Sequence, residues 1–223
     1  ITELQVKGIT SMGGIASFEN LERLTVRDYP DTNLKQLVPL KRLNYLSLED
    51  TVDSDSIIST DKDKIRVKDY SAISVMSGLK SLYLNSDIIK DIGFIKGLPA
   101  LEDLTLEDTA VISLASLAEM PALRSLTLLG NNKVQDFGPV GTATGLTSLS
   151  IDKMTSQPDP DLSSLSGLET PEIKGFMSIS SIRGLSSLKE LSIPNCTVHQ
   201  ADAHYSLPGV TRFTSYSVWH SKG

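Results

Sequence analysis

One six-residue pattern, L-x-x-L-x-L, recurs along this chain at a nearly constant interval, and the interval constrains the fold more than any other feature. Close copies are Leu21-Leu24-Val26, Leu43-Leu46-Leu48, Leu79-Leu82-Leu84, Leu101-Leu104-Leu106, Leu123-Leu126-Leu128, Leu146-Leu149-Ile151 and Leu188-Leu191-Ile193. Weaker copies are Ile1-Leu4-Val6, Leu168-Pro171-Ile173 and Val210-Phe213-Ser215. The starts at 79, 101 and 123 lie 22 apart, as do 21 and 43, 146 and 168, and 188 and 210. From 43 to 79 the step is 36, one period plus 14. A short unit repeated at such a period cannot bury its own leucines; stacked units bury them against each other.

Each x-L-x-L-x stretch alternates like a strand that turns two apolar residues inward. The second half of the repeat steps by three instead: Ile89, Ile92, Ile95 and Leu98, then Val111, Leu114, Leu117 and Met120. That step suits 3₁₀ turns better than a full α-helix, and the short period leaves no room for a long one. The expected fold is an α/β repeat. It is a right-handed leucine-rich-repeat solenoid with a parallel concave β-sheet and a convex side of 3₁₀ turns and loops. Residues 1–223 are expected to form a single domain of about nine to ten repeats. Ten strands at the usual spacing make a rod about 45 Å long.

The repeat reads L-x-x-L-x-L-x-x-N-x-I-x-x-I-x-x-L, and Leu79, Leu82, Leu84, Asp87, Ile89, Ile92, Ile95 and Leu98 follow it closely. It resembles the 22-residue repeat class of bacterial internalins and related cell-surface proteins. The resemblance covers nearly the whole chain. It implies a non-enzymatic recognition module of an exported, extracellular or surface-bound bacterial protein engaged in adhesion or host contact. Two other settings use comparable repeats: an intracellular (cytoplasmic) scaffold or regulatory subunit, and the recognition arm of a larger effector enzyme. The chain departs from the pattern at its ninth position, where asparagine normally bonds to backbone. Tyr29, Thr51, Asp87, Thr109, Asn131, Met154, Phe176 and Cys196 stand there, so most of an asparagine ladder is expected to be replaced or missing.

The extra 14 residues fall mostly within 52–66, "VDSDSIISTDKDKIR", a charged and serine-rich stretch that reads as a solvated loop. Its Asp53, Asp55, Asp61 and Asp63 lack the glycine and glutamate that a calcium loop needs. Pro171 replaces an inward strand leucine and Pro194 follows the strand core of a later repeat, so a local break or bend is expected there. Ile1 already occupies a strand position, and "SYSVWHSKG" stops without a polar closing helix. Both ends are therefore expected to be artificial boundaries, with 216–223 a linker or truncated cap.

No catalytic or cofactor motif appears. His199, Asp202 and His204 lack a second ligand pair for zinc, and the single Cys196 reads as a buried thiol. No metal and no cofactor are expected. The net charge of -6 argues against nucleic acid, and no apolar run is long enough for membrane insertion in this segment. What remains is the outward surface of the strands. The middle column runs Gln5, Thr25, Ser47, Tyr83, Thr105, Thr127 and Ser150; beside it run Lys7, Arg27, Glu49, Asn85, Glu107, Leu129 and Asp152. Hydroxyl residues suit β-structure and also offer donors and acceptors. The candidate ligand-binding set on this concave face is Tyr45, Glu49, Tyr83, Asn85, Asp103, Thr105 and Glu107. Its tyrosines are anchors and its acids favour a basic partner. The expected partner is a protein or a glycan, bound by a monomer.

Overall fold

A computed structural model describes residues 1–28, 33–50, 69–152, 158–174, 182, 185–192 and 210–214. Among these residues ten strands follow one another: β1 (Glu3–Lys7), β2 (Arg23–Arg27), β3 (Tyr45–Glu49), β4 (Ser81–Asn85), β5 (Asp103–Glu107), β6 (Ser125–Leu129), β7 (Ser148–Asp152), β8 (Thr170–Lys174), β9 (Glu190–Ser192) and β10 (Arg212–Thr214). Every strand pairs in parallel with its sequence neighbour, giving one open sheet in the order β1 to β10. The strands occupy the L-x-L segments of the repeat. Leu82, Leu84, Leu104, Leu106, Leu126 and Leu128 are all essentially inaccessible. Each such side chain contributes about 1.5–3 kcal/mol of burial free energy.

The step of three has a direct backbone cause. Ile95 N–H donates to Ile92 C=O, Leu98 N–H to Ile95 C=O and Leu101 N–H to Leu98 C=O, at 3.0, 2.9 and 3.2 Å. The same relay joins Leu114, Leu117, Met120 and Leu123. Consecutive i→i+3 bonds return every third side chain to the core. The turns on the side opposite the sheet are accordingly 3₁₀, as at Gly93–Gly97, Ala115–Glu119 and Gly138–Thr142. Among the described residues there is no α-helix, and no helix long and apolar enough to cross a membrane.

The long 36-residue step does not interrupt the sheet: β3 and β4 pair from Tyr45↔Ser81 through Glu49↔Asn85. The segment 52–66 itself lies outside the described residues, as do Pro194, Cys196, His199, Asp202, His204 and 216–223.

Pro171 confines the expected break to one side of its strand. It is buried within β8, and β8 pairs with β7 at all five positions, Leu149↔Pro171 included. In a parallel ladder alternate residues turn their N–H groups to opposite neighbours. Asp103, first in β5, donates backward to Lys80 C=O, so the second position of a strand faces forward. The donor that Pro171 lacks would therefore have served β9, not β7. On that side the pairing falls to Glu172↔Ser192.

Candidate functional site

The register of the sheet builds three outward columns from sequence-distant residues. Tyr45, Ser81, Asp103 and Ser125 share the first; Ser47, Tyr83, Thr105 and Thr127 the second; Glu49, Asn85, Glu107 and Leu129 the third. All seven proposed concave residues thus lie on one face of three adjoining strands. Inward leucines fix the backbone beneath them, so these side chains stand on a rigid base.

Two groupings emerge. On β4 and β5 the Tyr83 hydroxyl donates to Glu107 Oε2 at 2.7 Å. Burial, then this hydrogen bond, push the Tyr83 phenol up to about 12. Asn85 and Thr105 adjoin the pair in register. Asp103, at the other end of β5, has its carboxyl pushed up by partial burial and by neighbouring Glu102. Lys80 meets Glu102 at 3.0 Å and leaves Asp103 aside.

On β3, Glu49 receives Arg27 Nε at 2.7 Å and the Ser47 hydroxyl at 3.1 Å. Arg23 lies over the Tyr45 ring, 3.9 Å from its centroid. The sequence reading took Tyr45 as an open anchor beside Tyr83. The structure gives that ring a cation already, and gives Glu49 a counter-ion. Arg23 and Arg27 were not among the candidates. Their signal was available: opposite or complementary residues one repeat apart, 23 with 45 and 27 with 49.

Among the described ninth positions, Asn131 keeps the bonds to backbone that asparagine makes there. Asn131 is buried; its Nδ2 donates to Leu106 and Leu129 carbonyls at 2.8 and 3.0 Å, and its Oδ1 accepts from the Thr109 amide and hydroxyl. This closes the strand-end turn that Asp108 and Gly130 enter with positive φ.

The convex side uses polar residues differently. Asp69, Asp91, Asp136 and Asp161 each accept, through Oδ1, the amide two residues ahead at 2.7–2.9 Å. Bonds from Ser71 and Ser163 hold Asp69 and Asp161 below the usual carboxylate range. The sequence reading missed this repeating turn cap, although an acid two residues before Ser or Gly recurs near the 22-residue interval. A cleft of about 600 Å³ also opens here, floored by Tyr70 and Phe94 with ring centroids 5.9 Å apart. Among the described residues no cluster of His, Cys, Asp and Glu could hold a metal.

The solenoid is shared with solved structures. Internalin C2 of Listeria monocytogenes matches with a TM-score of 0.63 over 97% of this chain and 81% of its own, at 23% identity. A second Listeria monocytogenes internalin, inlF, matches at 0.52 over 98% and 82%, with 20% identity. TLR13, from a TLR13–ssRNA13 complex, matches at 0.65 over 95% of this chain and 32% of its own, with 18% identity. No protein-family model matches the sequence, and no curated protein does. The fold is an internalin-like leucine-rich-repeat solenoid.

Proposed function

We propose that this chain is a non-enzymatic recognition module that binds a protein partner through its concave face, as part of a bacterial surface protein engaged in adhesion or host contact. The observation that carries this reading is the contrast in polar satisfaction. Convex Asp69, Asp91, Asp136 and Asp161 are held by their own turns, whereas the concave face presents hydroxyls and carboxylates across several coils. Among the described residues, the hydroxyls of Thr105, Thr127 and Ser150 have no hydrogen-bond partner. A rigid, half-exposed sheet face with one ordered tyrosine suits docking at little entropic cost. Tyr83, Asn85, Asp103, Thr105 and Glu107 form the centre of this proposed surface, with Tyr45 and Glu49 at its basic edge. The net charge of -6 favours a protein partner over a polyanion. The repeat's resemblance to internalins, with the fold shared with two of them, supports the surface setting.

A photo-crosslinking residue at Thr105, compared with one at the convex Ile112, tests the reading. Partner adducts should form from position 105 and not from 112. Adducts from 112 alone would refute concave recognition.

A further inference from the structure

Leu129 breaks the chemistry of its column. The residues at the ends of successive strands run Arg27, Glu49, Asn85, Glu107, Leu129 and Asp152, and the other five are polar. Leu126 and Leu128 are fully buried, while Leu129 is only partly buried in the outward register of Glu107. An aliphatic side chain left there forgoes part of the burial free energy that its neighbours gain.

Three acidic residues stand at or just past the ends of the two strands that flank it. Glu107 stands beside it on β5, fixed by the Tyr83 hydroxyl at 2.7 Å. Asp108 follows; its amide donates to Leu129 C=O at 2.9 Å, and its Oδ1 lies where a Cβ on Gly130 would come within 2.0 Å. Asp152 ends the next strand and is exposed. Glu107 and Asp152 end the strands on either side of β6, roughly 10 Å apart by strand spacing; Leu129 pairs with Glu107, and the β6–β7 register runs as far as Leu128↔Ile151. Among the described residues, no ion pair includes any of the three. Lys174, beside Asp152 in register, faces Glu172 at 3.7 Å.

We propose that this spot receives a lysine or arginine side chain of the polypeptide partner, its aliphatic stem on Leu129 and its charged head between Glu107 and Asp152. The proposal rests on the concave-face reading and sharpens it. Long basic side chains join an apolar stem to a charged tip, which matches a leucine rimmed by carboxylates. A wholly apolar side chain would strip water from the carboxylates without pairing them. An acidic one would meet three like charges.

The probes are hexa-arginine and hexa-lysine, with hexa-citrulline as the uncharged control, titrated into the whole chain and followed by methyl NMR. Leu129 methyls should show intermolecular NOEs to probe methylenes. Glu107→Gln with Asp152→Asn should weaken binding at least tenfold. The convex pair Glu119→Gln with Asp136→Asn removes the same charge and should weaken it less than twofold. Leu129→Ser should weaken it severalfold. Equal losses from both charge pairs, binding of hexa-citrulline as tight as hexa-arginine, or no binding by either basic probe would overturn the proposal. Contacts at Tyr83 without Leu129 would also overturn it, yet leave concave recognition standing; that wider reading falls on crosslinking from Ile112 alone.

Discussion

On the convex side, Asp91 and Asp136 turn back on the amides of Gly93 and Gly138. On the concave side, Tyr83 reaches across to Glu107 and Arg27 to Glu49, each on the following strand. Both sets are polar residues on the surface of the same coils. The difference is backbone geometry. A tight turn offers free N–H groups to a carboxylate two residues away. A strand within the sheet has paired its own, so its outward side chains meet other side chains or solvent. Turn polarity therefore fixes local shape, while strand polarity joins neighbouring coils across the outward face.

Substitutions can break this division, and the largest effect is expected on the convex side. A Cβ at Gly97 would lie 2.2 Å from Ser74 C=O, a backbone atom of the preceding coil. Gly97→Ala should therefore cost about 3 kcal/mol by overpacking. Denaturant unfolding measures this, and the folded fraction should keep its partner affinity. Asn131→Ala comes next. It removes the buried partner of the Thr109 amide and of the Leu106 carbonyl, so about 2 kcal/mol of stability should go. A loss below experimental error would mean that this rung is ornamental.

Tyr83→Ala should behave in the opposite way. Affinity for a crosslinked partner should fall by about 1–2 kcal/mol, mostly through faster dissociation. The melting temperature should change little, because the side chain is a half-buried surface group. A large drop in stability with unchanged affinity would move Tyr83 to the structural side of the comparison.

The smallest expected effect is a pH dependence. The Tyr83 phenol is raised in the folded chain, to about 12, above the ordinary value near 10. A raised pKa adds stability that is fully present below the unfolded value and is lost as pH rises through the folded one. Alkaline titration of the phenolate absorbance should show one late tyrosine, and Glu107→Gln should bring its transition earlier. An unmoved transition would show that the hydrogen bond to Glu107 does not hold the proton.

The regular parts of this molecule were legible because the repeat itself specifies them. A two-residue alternation set the strands, and a three-residue step matched the i→i+3 bonds that carry Ile92, Ile95 and Leu98 inward. Strand register followed from the same spacing, so the concave columns were legible in the sequence. For Pro171 the side of the break was not legible, because sequence does not say which neighbour a missing N–H would have faced. The partner of Tyr45 was missed in a related way. The column placed Arg23 beside it, but whether a long cation lies over a ring or extends into solvent depends on rotamers. The convex caps escaped notice because attention to leucines hides a weaker polar period at Asp69, Asp91 and Asp136.

Affinity and stability measured together on one panel of variants test the central claim most directly. The panel replaces Tyr83, Thr105, Glu107 and Leu129 on the concave face, and Asp69, Lys90, Asp91 and Phe94 around the convex cleft. Partner affinity, by calorimetry or surface binding, is plotted against the melting temperature of each variant. The account predicts two separate groups: concave variants lose affinity at nearly constant melting temperature, and convex variants lose melting temperature at nearly constant affinity. Affinity losses concentrated at Lys90, Asp91 and Phe94, with the concave variants binding like the parent, would contradict it and place recognition in the cleft.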